Sequence, residues 1–228
     1  MNQTAAQTPS RARNLLAQVL PDRTVHRVGE TFYSAKLRWD ILRRKRSPFV
    51  TGYLKGLKGV EIGAASHNRF YLDAINVDRY GEQDTVYKRL ERTVAGKAAH
   101  VDIVAPGDEL PFDNDSHDFV FSSHVIEHFP DPIKALYEWC RVARIYVVVI
   151  APHRDRTFDV DRPLTPVAAL LERNASHFAS DEDKHWSVWT RETFVEMCRA
   201  AGMVVIDTQD PDDKIGNGFT VVIDAQKG

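Results

Sequence analysis

Cysteine is nearly missing from this chain. Cys140 and Cys198 are the two present, and neither belongs to a CxxC or Cys/His ligand spacing, so neither a disulfide framework nor a structural zinc site is expected. No apolar run approaches the ~18 residues that would span a bilayer, and no apolar core of a signal peptide follows the first residues; the expected location is the cytoplasm. An excess of one charge is absent too. Thirty basic residues stand against 32 acidic ones, a net charge of −2, which gives no bulk electrostatic reason to expect a nucleic acid or an anionic membrane as partner. The local basic run Lys36 to Arg46 reads as the solvated end of an amphipathic helix. The GxGxxG fingerprint of a pyrophosphate-binding loop is also lacking, which disfavours a NAD enzyme.

The chain has 228 residues, 43% apolar and 27% charged, an ordinary globular composition long enough for one substantial core. Residues 1–10 are polar and read as a mobile tail. Helical patterns at about 11–20 and 31–44 form an N-terminal helical appendage, taken as residues 11–54. From Gly59 onward, short apolar runs alternate with amphipathic stretches, as βα units with a mainly parallel sheet do. Seven strands are predicted, at about 59–63, 74–78, 100–104, 118–122, 145–150, 202–208 and 218–224. The turn-rich DPDDKIGNG segment before the last run permits a hairpin. The fold class is therefore α/β, a Rossmann-like seven-stranded sheet with an antiparallel last strand and helices on both faces. Asp131 as N-cap before Pro132, and Thr190 before a helix ending at Gly202, mark two of the helices.

Ligands of open α/β sheets bind outside the carboxyl ends of the strands. The first strand ends in VEIGAASHN, where Gly63, Ala64, Ala65 and Ser66 form a small-residue turn that lets backbone approach a ligand, with Glu61 just inside the strand. The second ends at Asp78, whose carboxylate can accept hydrogen bonds from two ribose hydroxyls. A third stretch, GDELPFDNDSHDFVFSSHVIEHFPDP, spans residues 107–132.

The order EIGAAS, INVD, LPFDNDSHDFVFSSHVIEHFPDP resembles class I S-adenosylmethionine-dependent methyltransferases of the methyltransferase-11 type, over roughly residues 55–224. The resemblance implies that the cofactor is S-adenosylmethionine. Glu61 and Gly63 to Ala65 would then approach its methionine moiety, Asp78 would hold the ribose, Asp108 would lie near the adenine, and Ser123 and His124 would line the cofactor floor. Two departures stand out. The glycine-rich turn is GAAS, and Pro106 occupies the place of the usual acidic residue six before Phe112, which leaves the adenine contact open among Asp102, Gly107 and Asp108.

Methyl transfer to a hydroxyl needs a nucleophile lined up behind the methyl group and a group that takes the proton. His153, just past the fifth apolar run, is the expected general base. Downstream lie Arg154, Asp155, Arg156, Asp159, Asp161 and Arg162, then His177, His185, Trp186 and Trp189, a substrate-recognition insertion of about residues 153–189. Carboxylates and arginines bind vicinal hydroxyls and tryptophan faces pack on sugar rings, and PHRDRTFD-like and HxW-like segments resemble methyltransferases of saccharide biosynthesis. Together they point to O-methylation of a sugar, oligosaccharide or glycan precursor. Expected substrate contacts are His128, Arg154, Asp155, Asp159, His185 and Trp186, and His153 with Asp155 could hold a Mg²⁺ ion that acidifies the acceptor. A non-sugar acceptor (an amine, quinone or polyketide phenol) and a non-catalytic methyltransferase-like binding subunit stay open. The N-terminal helices could close over the acceptor or make a homodimer contact.

Overall fold

The computed structural model describes residues 46–81, 85–173 and 184–227. The predicted tail, both early helices, all of the basic run except Arg46, and His177 lie outside the described residues. Seven strands form one sheet: β1 (Lys58–Ile62), β2 (Asp73–Asp78), β3 (Ile103–Val104), β4 (His117–Ser123), β5 (Ala143–Pro152), β6 (Val204–Gln209) and β7 (Gly218–Asp224), in the order β3-β2-β1-β4-β5-β7-β6. The pairs from β3 through β5 are parallel, whereas β7 runs antiparallel to both β5 and β6. The expected Rossmann-like sheet is therefore present, with the antiparallel strand inserted between β5 and β6. Among the described residues no helix is long and apolar enough to cross a membrane.

The central strands are nearly continuous apolar runs because both faces are covered. Val147 to Ala151 of β5 are fully buried. One face packs against α3 (Pro132–Val142) and α5 (Arg191–Ala200), burying Leu136, Trp139, Phe194 and Met197. The other holds Phe119, Phe121, Val148, Ile150 and Val222, covered by Phe70 and by α1 (Pro48–Leu54). The residues of α1 fall within the predicted appendage, yet Val50 and Leu54 are core residues. Helix starts follow the sequence chemistry: Lys134 N–H donates to Asp131 Oδ1 before Pro132, and Thr190 and Thr193 form a capping box at α5. Gly202 takes a φ of 81° beyond the end of α5.

Two features bring loops together at the carboxyl edge. Residues 63–72 connect β1 to β2 with a single 3-10 turn, Ser66–Asn68, in place of an α-helix, at the short end of what a parallel crossover allows. The loop before β7 is built around Asp212, 2% exposed, whose carboxylate accepts the backbone N–H groups of Lys214, Ile215, Gly216 and Gly218. From that loop, Lys214 Nζ donates to the carbonyl of Arg69 at 2.8 Å.

Replacing Asp212 by alanine strips four backbone donors of their acceptor, those of Lys214 and Gly218 buried, and a loss of about 3 kcal/mol is expected from the cost of orphaned buried hydrogen-bonding groups. Chemical denaturation of Asp212→Ala checks this; stability within 0.5 kcal/mol of the parent, about the scatter of ordinary surface substitutions, would contradict it.

Candidate active site

At the carboxyl end of β1 the chain turns through Gly63, whose φ of 67° favours glycine. A Cβ there would lie 2.8 Å from Val125 Cγ2, so the turn sits directly against the residues that follow β4. Protein groups hold its amides: Gly63 N–H donates to the Val77 carbonyl, Ala64 N–H to Asn76 Oδ1, and Ser66 N–H to Glu91 Oε2. A loop with its amides spent in this way is not a phosphate cradle, in keeping with the missing GxGxxG pattern.

Glu91 stands on α2 (Val86–Ala95) and also takes the Ala99 N–H. It pairs with buried Lys88 at 3.2 Å, and Lys88 reaches Asp78 Oδ2 at the same distance. The Lys88 ammonium thus bridges the carboxylate that ends β2 and the carboxylate that ties down the first turn. Asp78 also accepts Tyr80 N–H and keeps 19% of its side chain exposed. Glu61, half-buried beside these loops, has its carboxyl pushed up to about 7 by burial, against the opposing charges of Arg69 and Lys214.

At the end of β4, Ser123 Oγ accepts from Asn68 Nδ2 at 3.2 Å, and His124 adopts a φ of 56°. A non-glycine residue in that region is uncommon and recurs at functional sites. Next come the 3-10 turn Ile126–His128 and a cluster the sequence reading dispersed over three regions. One oxygen of buried Glu127 lies 3.9 Å from His124 Nδ1, His128 Nε2 and His185 Nε2. His185 Nδ1 pairs with buried Asp159 at 2.6 Å, and Arg162 bridges Asp159 Oδ1 and the His185 carbonyl. Burial pushes the Glu127 carboxyl up to about 8, with the charge of Asp159 adding to the shift. Phe158, 77% exposed, leans over the His185 ring at 4.6 Å, and Tyr87 of α2 meets His128 edge-on at 5.9 Å. The cluster therefore adjoins α2, which holds Asp78.

Six expected residues stand elsewhere. His153 Nδ1 accepts the Asp155 N–H, capping a short 3-10 turn, which puts the proton of a neutral ring on Nε2; that nitrogen faces Asp210 at 3.9 Å. Both ring nitrogens look at protein, and burial lowers the pKa of the ring, so His153 caps this turn in the structure. Asp155 gives its carboxylate to Arg154 at 2.7 Å, so His153 and Asp155 present no common point for Mg²⁺, and Arg154 is spent in the same pair. Asp108 binds Lys134 at 2.9 Å, on α3. Trp186 carries the Lys184 ammonium 4.0 Å from its ring centroid, and Trp189 is a core residue packed on Phe194. What sequence reasoning missed is Glu127, framed by histidines in the string HVIEH. Alternation of His with Glu was its signal, and burial was the part a string does not reveal.

Residues 60–150 match the family described as a methyltransferase domain, the methyltransferase-11 type. The matched segment runs from β1 to β5 and contains Gly63, Asp78 and Glu127. Over that segment the chain resembles a methyltransferase domain. Its fold is similar to that of a SAM-dependent methyltransferase from Thermotoga maritima described as a possible histamine N-methyltransferase (18% identity, TM-score 0.51, covering 89% of this chain and 97% of that one). A SAM-dependent methyltransferase from Methanosarcina mazei is comparable (16% identity, TM-score 0.50, 78% of this chain and 96% of that one). So is a chain of a Haloferax volcanii complex between the Trm112 methyltransferase activator and a methyltransferase (16% identity, TM-score 0.51, 86% and 95%). No curated protein matches the sequence.

The protein loses stability as Glu61 ionises. Its folded value of about 7 exceeds the ordinary 4.5, so the contribution is complete below pH 4.5, declines as pH rises, and is gone above about 7. Glu61→Gln should therefore melt higher than the parent at pH 8, by the equivalent of roughly 1–3 kcal/mol, with the gap closing near pH 4.5. Melting curves at the two pH values decide; an equal gap at both would refute the assignment.

Proposed function

We propose that this chain is an S-adenosylmethionine-dependent methyltransferase acting on a hydroxyl of a polyhydroxylated acceptor, a sugar or glycan precursor, bound between the Ile126–His128 turn and the segment that begins at His153. The observation that carries the reading is the Glu127 cluster. A hydroxyl must lose its proton as it attacks, whereas an unprotonated amine need not, and the described end of β4 is crowded with groups that receive protons. When bound, S-adenosylmethionine supplies a methyl on a sulfonium sulfur, which leaves with the C–S bonding pair as the acceptor oxygen bonds the methyl carbon.

The chain's own residues fit that cofactor. Gly63 leaves room where a Cβ would collide, the Gly63 to Ala65 turn and the Glu61 carboxylate suit a methionine end bearing an ammonium, and Asp78 suits two ribose hydroxyls. Ser123 and His124 form the floor, and the backbone around Gly107 supplies the adenine edge, since the Asp108 side chain is taken by Lys134. Acceptor recognition falls to His128, His185, Asp159 and exposed Phe158. Phe158 offers the apolar face that Trp186, under Lys184, does not. The hydroxyl loses its proton at the Glu127 cluster and not at His153.

Calorimetric titration with S-adenosylhomocysteine should give micromolar binding in the parent, weakened about tenfold or more in Asp78→Asn, the loss of a charge-assisted hydrogen-bond pair to a ribose. Asp78→Asn keeps the side chain's shape beside Lys88, and a melting curve confirms its fold. Sugar hydroxyls should be methylated in an acceptor screen, and His153→Ala should retain turnover once folded. Absence of cofactor binding in the parent, or turnover with amines alone, would overturn the proposal.

A further inference from the structure

The same cluster has a geometry that proton transfer alone does not explain. One Glu127 oxygen lies 3.9 Å from three imidazole nitrogens, too far for hydrogen bonds. The other, Oε2, is buried without a hydrogen-bond partner, on a residue 1% exposed. Ligand atoms of Glu127, His128 and His185 all lie within 4.8 Å of one another.

His185 shows what belongs between them. Its Nδ1 faces an Asp159 oxygen at 2.6 Å, so Nδ1 carries the proton and Nε2 presents a lone pair to the Glu127 carboxylate. Two lone-pair atoms facing each other in a dry site repel unless a proton or a cation sits between them. A carboxylate that fixes the far nitrogen of a histidine is also the arrangement that orients imidazole ligands on metals. Zn–N and Zn–O bonds of about 2.0–2.2 Å put neighbouring ligand atoms of a tetrahedron roughly 3.4 Å apart, about 0.5 Å inside the 3.9 Å Glu127–imidazole spacings, so the three side chains close in slightly around an ion.

We propose that Glu127, His128 and His185 bind a divalent transition-metal ion, with Asp159 positioning His185 and a coordination position left open toward the acceptor. Two imidazoles and one carboxylate favour Zn²⁺ and its first-row neighbours over Mg²⁺ or Ca²⁺, which take all-oxygen sets. The binding site stands by itself. Its role in methyl transfer rests on the acceptor reading above: a hydroxyl on the open position is acidified and releases its proton to water before attack.

The test is calorimetric titration of the chelator-stripped full chain with Zn²⁺, accompanied by the visible absorption of the Co²⁺ form. One ion per chain is expected, at least about 100-fold weaker in Glu127→Gln and His185→Ala, and about 10–100-fold weaker in Asp159→Asn, the usual effect of losing an orienting partner. His100→Ala, which alters an exposed histidine on the far side of β2 from this cluster, should bind as the parent does. Melting curves and S-adenosylhomocysteine binding verify each variant; should the buried substitutions fail to fold, His128→Ala, with its side chain 23% exposed, carries the test. No stoichiometric ion in the parent, or undiminished binding in the folded variants, overturns the site. Cofactor binding without metal binding removes this inference alone. Metal binding without any methylated hydroxyl leaves the site standing and removes the acceptor reading.

Discussion

The parallel pairing of β1 with β4 is the constraint on which the rest depends. Gly59 lies so close to Phe119 that an added Cβ would meet its carbonyl oxygen at 2.4 Å, and Gly63 meets Val125 in the same way. Glycine at both places lets two loops end side by side at one edge of the sheet. The small-residue turn after β1 and the Glu127 turn after β4 are neighbours for that reason. Placed on strands farther apart, the same residues would be two unrelated loops.

Buried polar groups then fix what the strands bring near. Lys88 joins Asp78 to Glu91, and Glu91 holds the amide of Ser66, so α2 secures a connection that has no α-helix of its own. On the other side Trp186 N–H donates to the Glu127 carbonyl, while Arg173 reaches the carbonyls of Pro130 and Trp186 and the hydroxyl of Ser187. Charged groups in such surroundings are held by complete partnering. Glu127 Oε2 is a buried carboxylate oxygen without such a partner, which is why it attracts a functional reading.

Much of the fold was legible because it rests on local pattern. The seven apolar runs, the Asp131-Pro132 start and the Gly202 stop are statements about neighbouring residues, and the structure realises each. Strand β3 shrinks to Ile103–Val104, since an edge strand needs few ladder bonds. The candidate site was read less fully. Asp78 and Gly63 follow from their places at strand ends, but the partners of His153 and Asp155 come from adjacent backbone and side chains, which residue type alone does not rank. Trp189 looked like a sugar platform and is core, because aromatic character serves both ends equally. The meeting of Glu127 with His185 spans more than fifty positions in sequence and is set by the sheet.

One feature of the segment after β5 reaches beyond catalysis. Its ends are clasped together: Arg154 N–H donates to the Trp189 carbonyl, Thr165 N–H to the Val188 carbonyl, and the amide of Val188 to Thr165 Oγ1. The sheet therefore receives this excursion at nearly one point, as a frame receives a drawer. Length and composition between the clasped ends can change without moving β5 or α5, at the slowly growing cost of closing a longer loop. On the proposed reading, acceptor preference is thus free to drift while the methyl-donor half stays fixed, and exchanging that excursion between related chains is a direct route to new substrates.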